Sequence, residues 1–176
     1  MPRIIWLTGP PGSGKSTTSA ELAKSRPFFV HIPVDEIRKW VLSGLSESIT
    51  WTDETTRQFE VAEAAACDAA RRYHDAGFDV VIDHCRNLPR IDKVITEHLP
   101  DLEVIKVCLL PSLEKNLERN VSRSNKSFDT HSLVTIITGM NPGMVESVPA
   151  RWHVIDSTDH SVEDTARIIL EISNFA

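Results

Sequence analysis

The chain contains no apolar run that approaches membrane-spanning length, so a transmembrane helix is not expected. Cysteine is scarce. Cys67, Cys85 and Cys108 are odd in number and widely spaced, which argues against a disulfide framework or a spaced zinc site and suits a reduced, cytoplasmic protein. A basic surplus is also missing. With 19 Lys and Arg against 25 Asp and Glu the net charge is −6, which disfavours the broad basic face needed to grip long nucleic acid by its backbone. A nucleic-acid end held by a few arginines stays compatible with that balance. The opening residues run directly into an apolar stretch, so no signal peptide is expected. No internal repeat, low-complexity tract or linker divides the sequence, and residues 1–176 are expected to form one domain.

What is present is concentrated near the start. Ile4, Ile5, Trp6 and Leu7 form a short apolar run of the kind a buried central strand requires. Gly9-Pro10-Pro11-Gly12-Ser13-Gly14-Lys15-Ser16 then matches the spacing G-x-x-x-x-G-K-S, followed by Thr17 and a helix-like segment. The glycines let consecutive backbone N–H groups converge on phosphate oxygens. Lys15 supplies a mobile positive charge for the β- and γ-phosphates, and Ser16 offers a hydroxyl to Mg²⁺. The following helix directs its positive dipole end at the same anion. Residues 9–17 are therefore the expected ATP-binding segment.

Helix-like and strand-like segments alternate along the rest of the chain. Helices are expected at 15–24, 35–42, 52–76, 90–98, 113–123, 129–140 and from Ser161 onward. The last of these is capped by Ser161, with Asp164 as its partner. The Asn141-Pro142-Gly143 triplet is expected to break the sixth helix. Strands are expected at 28–32, 80–82, 104–110 and 153–156, besides the opening one. This alternation points to an α/β fold with a parallel sheet covered on both faces.

Ligands of such sheets bind beyond the carboxyl ends of the strands. After the second strand stand Asp35 and, three residues on and so on the same helix face, Arg38. Asp35 is a candidate to accept the proton of an attacking hydroxyl or orient it, with an N-cap role as the plainer reading. After the third strand stands Asp83, in the pattern where a carboxylate holds Mg²⁺ directly or through water. Arg86 and Arg90 follow it, facing either the acceptor or solvent. His84 reads as a spacer, and Cys85 lies near the site. Arg119 and Arg123 sit at i,i+4, where mutual repulsion turns into a gain if an anion lies between them. Lys126 extends that cluster, which reads as a lid over roughly 117–130. Trp40, Trp51 and Phe59 read first as core and second as an aromatic wall for an acceptor. Glu60, Glu63 and the Arg71-Arg72 pair read as helix surface. Asp156-Ser157-Thr158, after the last strand, is placed by position to line an adenine.

The phosphate loop, Asp35-x-x-Arg38, the strand ending in Asp83 and the arginine segment Leu117–Arg123 together resemble the P-loop kinases of small substrates. The order of these parts is most similar to the polynucleotide-kinase-like branch, with similarity also to antibiotic- and sugar-phosphorylating relatives, including shikimate- and gluconate-kinase-like proteins. The chain departs from the polynucleotide kinases after the third strand, where Asp83-His84-Cys85-Arg86-Asn87 replaces an Asp-Thr-Asn text. The resemblance implies a P-loop NTPase fold with a five-stranded parallel sheet of order 2-3-1-4-5 and a helical lid. It implies Lys15, Asp35, Arg119 and Arg123 as catalytic residues, with Asp35 as general base. Residues 9–17 then bind ATP, Asp35, Arg38 and Arg86 bind the acceptor, and Ser16 and Asp83 hold Mg²⁺. The expected activity is ATP- and Mg²⁺-dependent phosphoryl transfer to a small hydroxyl acceptor such as a nucleoside, sugar or antibiotic. The alternatives are a 5′-hydroxyl polynucleotide kinase and a nucleotide-switched binding protein with slow hydrolysis.

Overall fold

The computed structural model describes residues 1–121, 133–146 and 148–173. Five strands, β1 (Ile4–Thr8), β2 (Phe29–Pro33), β3 (Asp79–Asp83), β4 (Val104–Leu109) and β5 (Trp152–Ile155), form one sheet in the order β2-β3-β1-β4-β5. Every pairing is parallel. Among the described residues the helices are α1 (Lys15–Lys24), α2 (Val34–Arg38), α3 (Asp53–Asp75), α4 (Leu88–His98), α5 (Leu113–Val121), α6 (Val134–Glu146) and α7 (Val162–Ile172). None is long and apolar enough to cross a membrane.

The continuous apolar text of β1 follows from its central place. Ile4 and Trp6 join one buried cluster with residues of α3 and α4, whereas Ile5 and Leu7 join another with α1 and α7. Val80 and Ile82 of β3 divide from Val81 in the same way. Alternate side chains thus fill both faces, and each large one fully buried contributes about 1.5–3 kcal/mol. The register sets Leu7 beside Asp83, so the phosphate loop and the third-strand carboxylate emerge from neighbouring strand ends.

Helix boundaries follow local chemistry. Thr52 caps α3 by a reciprocal pair, its hydroxyl accepting from Thr55 N at 3.2 Å while the Thr55 hydroxyl accepts from Thr52 N at 3.2 Å. Gly77, at φ 93, stops the chain just past it. The Asn87 side chain caps α4, which takes in Leu88 and Pro89 instead of opening at Arg90. A proline in the first helical turn sacrifices no hydrogen bond. Two expectations need larger correction. α2 ends at Arg38 and does not continue to Leu42, because the next residues leave to form the loop that packs on α3. The Asn141-Pro142-Gly143 triplet does not break α6, which runs through Pro142 to Glu146. Asn141 anchors that turn by donating from Nδ2 to the Pro111 carbonyl at 2.8 Å, and Met144 is buried against Cys108. Thr138, four residues before Pro142 and the residue whose carbonyl loses its helical donor, is exposed.

Candidate functional site

The loop between β1 and α1 is shaped by its glycines. Gly9 has φ 151 and lies so close to its surroundings that a Cβ there would sit 2.3 Å from the Leu109 carbonyl oxygen. Gly12, at φ 86, lets Asn116 of α5 approach the loop, and Asn116 Nδ2 donates to the Pro11 carbonyl at 2.7 Å. Gly14, at φ 95, is the N-cap of α1. Lys15 is buried against this loop, its Nζ donating to the carbonyls of Gly9 and Pro10 at 2.9 and 3.0 Å. The ammonium therefore lies within the glycine loop and not in solvent.

Beside it Asp83 is 5% exposed. Burial alone would raise its carboxyl, but a hydrogen bond from His31 Nε2 at 3.1 Å, the charge of Lys15 and a hydrogen bond from Ser16 outweigh that. The carboxyl is held below its ordinary value and stays ionised. His31 stands on β2 across from Val81, and reaches Asp83 diagonally, two residues further along β3. It was not singled out in the sequence because it lies inside a strand-like run. Ser16 and Asp83 together form an all-oxygen pair next to the cradle. That chemistry fits Mg²⁺, which takes one or two protein oxygens and keeps water and phosphate as its other ligands. Among the described residues no larger cluster of His, Cys, Asp and Glu side chains gathers to hold a metal.

The neighbouring polar cluster is built around Glu63. This side chain was expected on a helix surface, yet it is 1% exposed. It lies on the buried stripe of α3 with Phe59, Ala62, Ala66, Cys67 and Ala70, and helical spacing carries it inward with them. The charge is met by Arg90, whose Nη2 and Nε donate at 2.7 and 3.0 Å, by His84 Nε2 at 3.1 Å and by Arg86 Nε at 3.3 Å. Burial pushes the Glu63 carboxyl up, and the bonds from His84 and Arg90 more than reverse this, leaving it below its ordinary value. His84 is thus a buried partner of Glu63 and not a spacer.

An aromatic stack covers the same region. Trp51 lies flat against Phe59, with centroids 5.1 Å apart and planes 4° from parallel. Phe59 is core, as expected. Trp51 is half-exposed and Trp40 fully out in solvent, so neither is. Arg86 lies over Trp51 at 4.5 Å and Arg38 over Phe59 at 4.5 Å. Arg38 is buried and donates from Nη1 to the Ser46 carbonyl at 2.7 Å and from Nη2 to the Ser48 hydroxyl. It pins the 44–48 loop, which Gln58 holds from α3 by accepting from Ser46 N and donating to the Gly44 carbonyl. Asp35 is exposed at the start of α2, with no hydrogen-bond partner for its carboxylate among the described residues.

Arg119 extends from α5 to the loop after β5, donating from Nη2 to the Ser157 carbonyl at 2.9 Å. Arg123 and Lys126 lie outside the described residues, as does the outer part of the expected lid. The site therefore brings together residues 9–17, Asp83, Asp35, Arg38 and Arg86 at the carboxyl ends of β1, β2 and β3, and places Arg119 on the flank near β5.

A family model described as an AAA domain matches residues 4–137, more than half of the chain and nearly all of this site. The chain belongs to the AAA domain family. No curated protein matches it significantly. Among solved structures, this AAA domain is similar to a sugar kinase from Janibacter sp. HTCC2649 in unliganded form. The TM-score is 0.71 at 19% identity, covering 100% of this chain and 96% of that one. The tunicamycin resistance protein of Deinococcus radiodurans gives a TM-score of 0.70 at 18% identity, covering 97% and 95%. The APS kinase of Mycobacterium tuberculosis, in complex with AMPPNP and APS, gives 0.68 at 14% identity, covering 98% of each chain. At such identities the likeness establishes the fold alone.

Proposed function

We propose that this AAA domain is an ATP-dependent phosphotransferase acting on a small hydroxyl compound. The observation that carries the reading is the burial of Lys15 within the glycine loop, with the ionised Asp83 and Ser16 beside it and a polar–aromatic cluster next to them. The kinases and the resistance protein that share the fold support a small acceptor over a polynucleotide, as does the net charge of −6.

In this reading the amides of residues 9–17 and Lys15 hold the phosphates of ATP, with Ser16 and Asp83 as the ligands of Mg²⁺. The metal supplies neutralisation of phosphate charge. Asp35 orients the acceptor hydroxyl and takes its proton. The acceptor oxygen then bonds to the γ-phosphorus as the bond to the β–γ bridging oxygen breaks, and ADP leaves with that electron pair. Arg119 and Arg123 stabilise charge on the phosphoryl group in transfer, and Arg38 holds the loop that walls the acceptor pocket. The free thiols, two of them buried, suit a reducing cytoplasm.

The test is incubation with γ-labelled ATP beside a panel of small alcohols, nucleosides and sugars, and a 5′-hydroxyl oligonucleotide. Label on a small compound is the expected result. Label on the oligonucleotide alone overturns the small-molecule assignment. A protein partner captured only with ATP, with no acceptor labelled, marks a nucleotide-switched binding protein instead.

A further inference from the structure

The polar–aromatic cluster proposed to face the acceptor contains a guanidinium whose fork is unused. Arg86 is anchored at three points that leave its tip alone. Its backbone is tied to Thr8, whose hydroxyl donates to the Arg86 carbonyl at 2.9 Å and accepts from Arg86 N at 3.3 Å. Its Nε donates to Glu63 at 3.3 Å, and its plane lies over the rings of Trp51 and Phe59 at 4.5 and 5.5 Å. Nη1 and Nη2 make no hydrogen bond among the described residues, although the side chain is only 17% exposed. Glu63 meets that charge through Nε alone and shares its carboxylate with other partners. Its shorter contacts all go to Arg90 and His84, and Arg90 also has Glu60 at 3.4 Å.

Arg38 stands on the same Phe59 ring at 4.5 Å, so the two guanidinium carbons are at most about 10 Å apart. Arg38 forms no ion pair among the described residues, but both of its Nη atoms are engaged by Ser46 and Ser48. The fork free for a ligand therefore belongs to Arg86. It stands in the segment after Asp83 where this chain departs from the polynucleotide kinases it otherwise resembles.

We infer that Arg86 receives an anionic group of the acceptor, a carboxylate, sulfate or phosphate remote from the hydroxyl that is phosphorylated, and that Glu63 positions it. This rests on the kinase reading for the presence of an acceptor, and adds the acceptor's charge. The aromatic planes and Glu63 fix the guanidinium in one orientation before any ligand arrives, so little ordering entropy opposes a bidentate contact. A partly desolvated cation with open donors gains more from an anion than from a neutral oxygen.

The experiment is titration calorimetry of the full chain, loaded with Mg²⁺ and a non-hydrolysable ATP analogue. The probes are para-hydroxymethyl-benzoate, its sulfonate and phenyl-phosphate counterparts, and the neutral para-hydroxymethyl-benzamide. At least one anion is expected to bind about tenfold or more tightly than the amide, and the tightest names the group. In Arg86→Gln that advantage is expected to fall below about threefold. Arg86→Lys, which keeps charge but loses the fork, is expected to fall between them and serves if the glutamine variant does not fold. Equal binding of anions and amide, binding of none of them, or an advantage undiminished in the variants overturns the inference. Failure of the wild-type chain to bind the ATP analogue overturns the kinase reading instead, and is seen before any probe is added.

Discussion

Replacing Glu63 by glutamine removes the one buried carboxylate that Arg90, His84 and Arg86 share, leaving only the exposed Glu60 beside Arg90. The carboxylate accepts from Arg90 twice, at 2.7 and 3.0 Å, from His84 at 3.1 Å and from Arg86 at 3.3 Å. A glutamine of the same shape keeps one oxygen and turns an amide N–H₂ towards a guanidinium. Hydrogen bonds to a charged group contribute about 1.5–3 kcal/mol against about 0.5–1.5 for neutral ones. Losing that difference at two or three contacts predicts destabilisation by about 2–3 kcal/mol, at the lower end because the arginines are partly hydrated. For a chain of this size that lowers the melting temperature by roughly 4–12 °C. Glu63→Ala, which leaves Arg86 without its carboxylate and Arg90 with Glu60 alone, is expected to cost about 3–5 kcal/mol.

The pH dependence adds a second check. The folded Glu63 carboxyl lies below its ordinary value of 4.5, so its stabilisation is complete above the unfolded value and is lost as pH falls through the folded one. The gap between wild type and Glu63→Gln, read by urea denaturation, is therefore expected to be constant from pH 7 to about 5 and to close on further acidification. A variant as stable as wild type at pH 7, or a gap that widens towards pH 3, would refute the assignment of Glu63 as an ionised hub.

Three further outcomes follow from the same geometry. Lys15→Ala is expected to lower phosphoryl transfer by about 10²–10³-fold while the circular dichroism spectrum stays unchanged; near-normal turnover by a folded variant would remove that lysine from the chemistry. Asp35→Asn is expected to lower turnover by about 10²-fold or more with little change in ATP affinity, and equal losses in both would assign Asp35 to metal or structure. Burial pushes the thiols of Cys67 and Cys108 up to about 12, so only roughly one in ten thousand is ionised at pH 8. An aromatic disulfide reagent should therefore reach those two only on unfolding, and rapid native labelling of either, mapped by mass spectrometry, would contradict their burial.

The nucleotide half of the site was legible because its parts are local in sequence. A strand, a glycine loop and a helix occupy one short stretch, and the φ values at Gly9, Gly12 and Gly14 are the ones the spacing asks for. The sheet order came from the resemblance, and the parallel pairing from the alternation of elements. The proposed acceptor half was read poorly because it is assembled across long separations. Glu63 was passed over although the signal was present. A carboxylate on the buried stripe of an alanine-rich helix requires cations from elsewhere in the chain, and the arginines at 86 and 90 were available to supply them. His31 has no such signal, since a histidine within an apolar strand meets Asp83 only once β2 and β3 pair. Pro142 misled because helix propensity was weighed without the packing of Asn141 and Met144, which holds the turn on either side of it.

The Thr8 hydroxyl bridges the two halves. It closes β1 just before the glycine loop and clasps the main chain of Arg86 on the far side of Asp83. The glycine loop and the segment after β3 are thereby riveted to a common beam. On the kinase reading, adjustment to acceptors of different bulk then falls to the segment between α2 and α3, where Trp51 lies over Phe59 and Arg86. Substitutions that alter acceptor choice should accumulate in that strap and leave the riveted floor untouched.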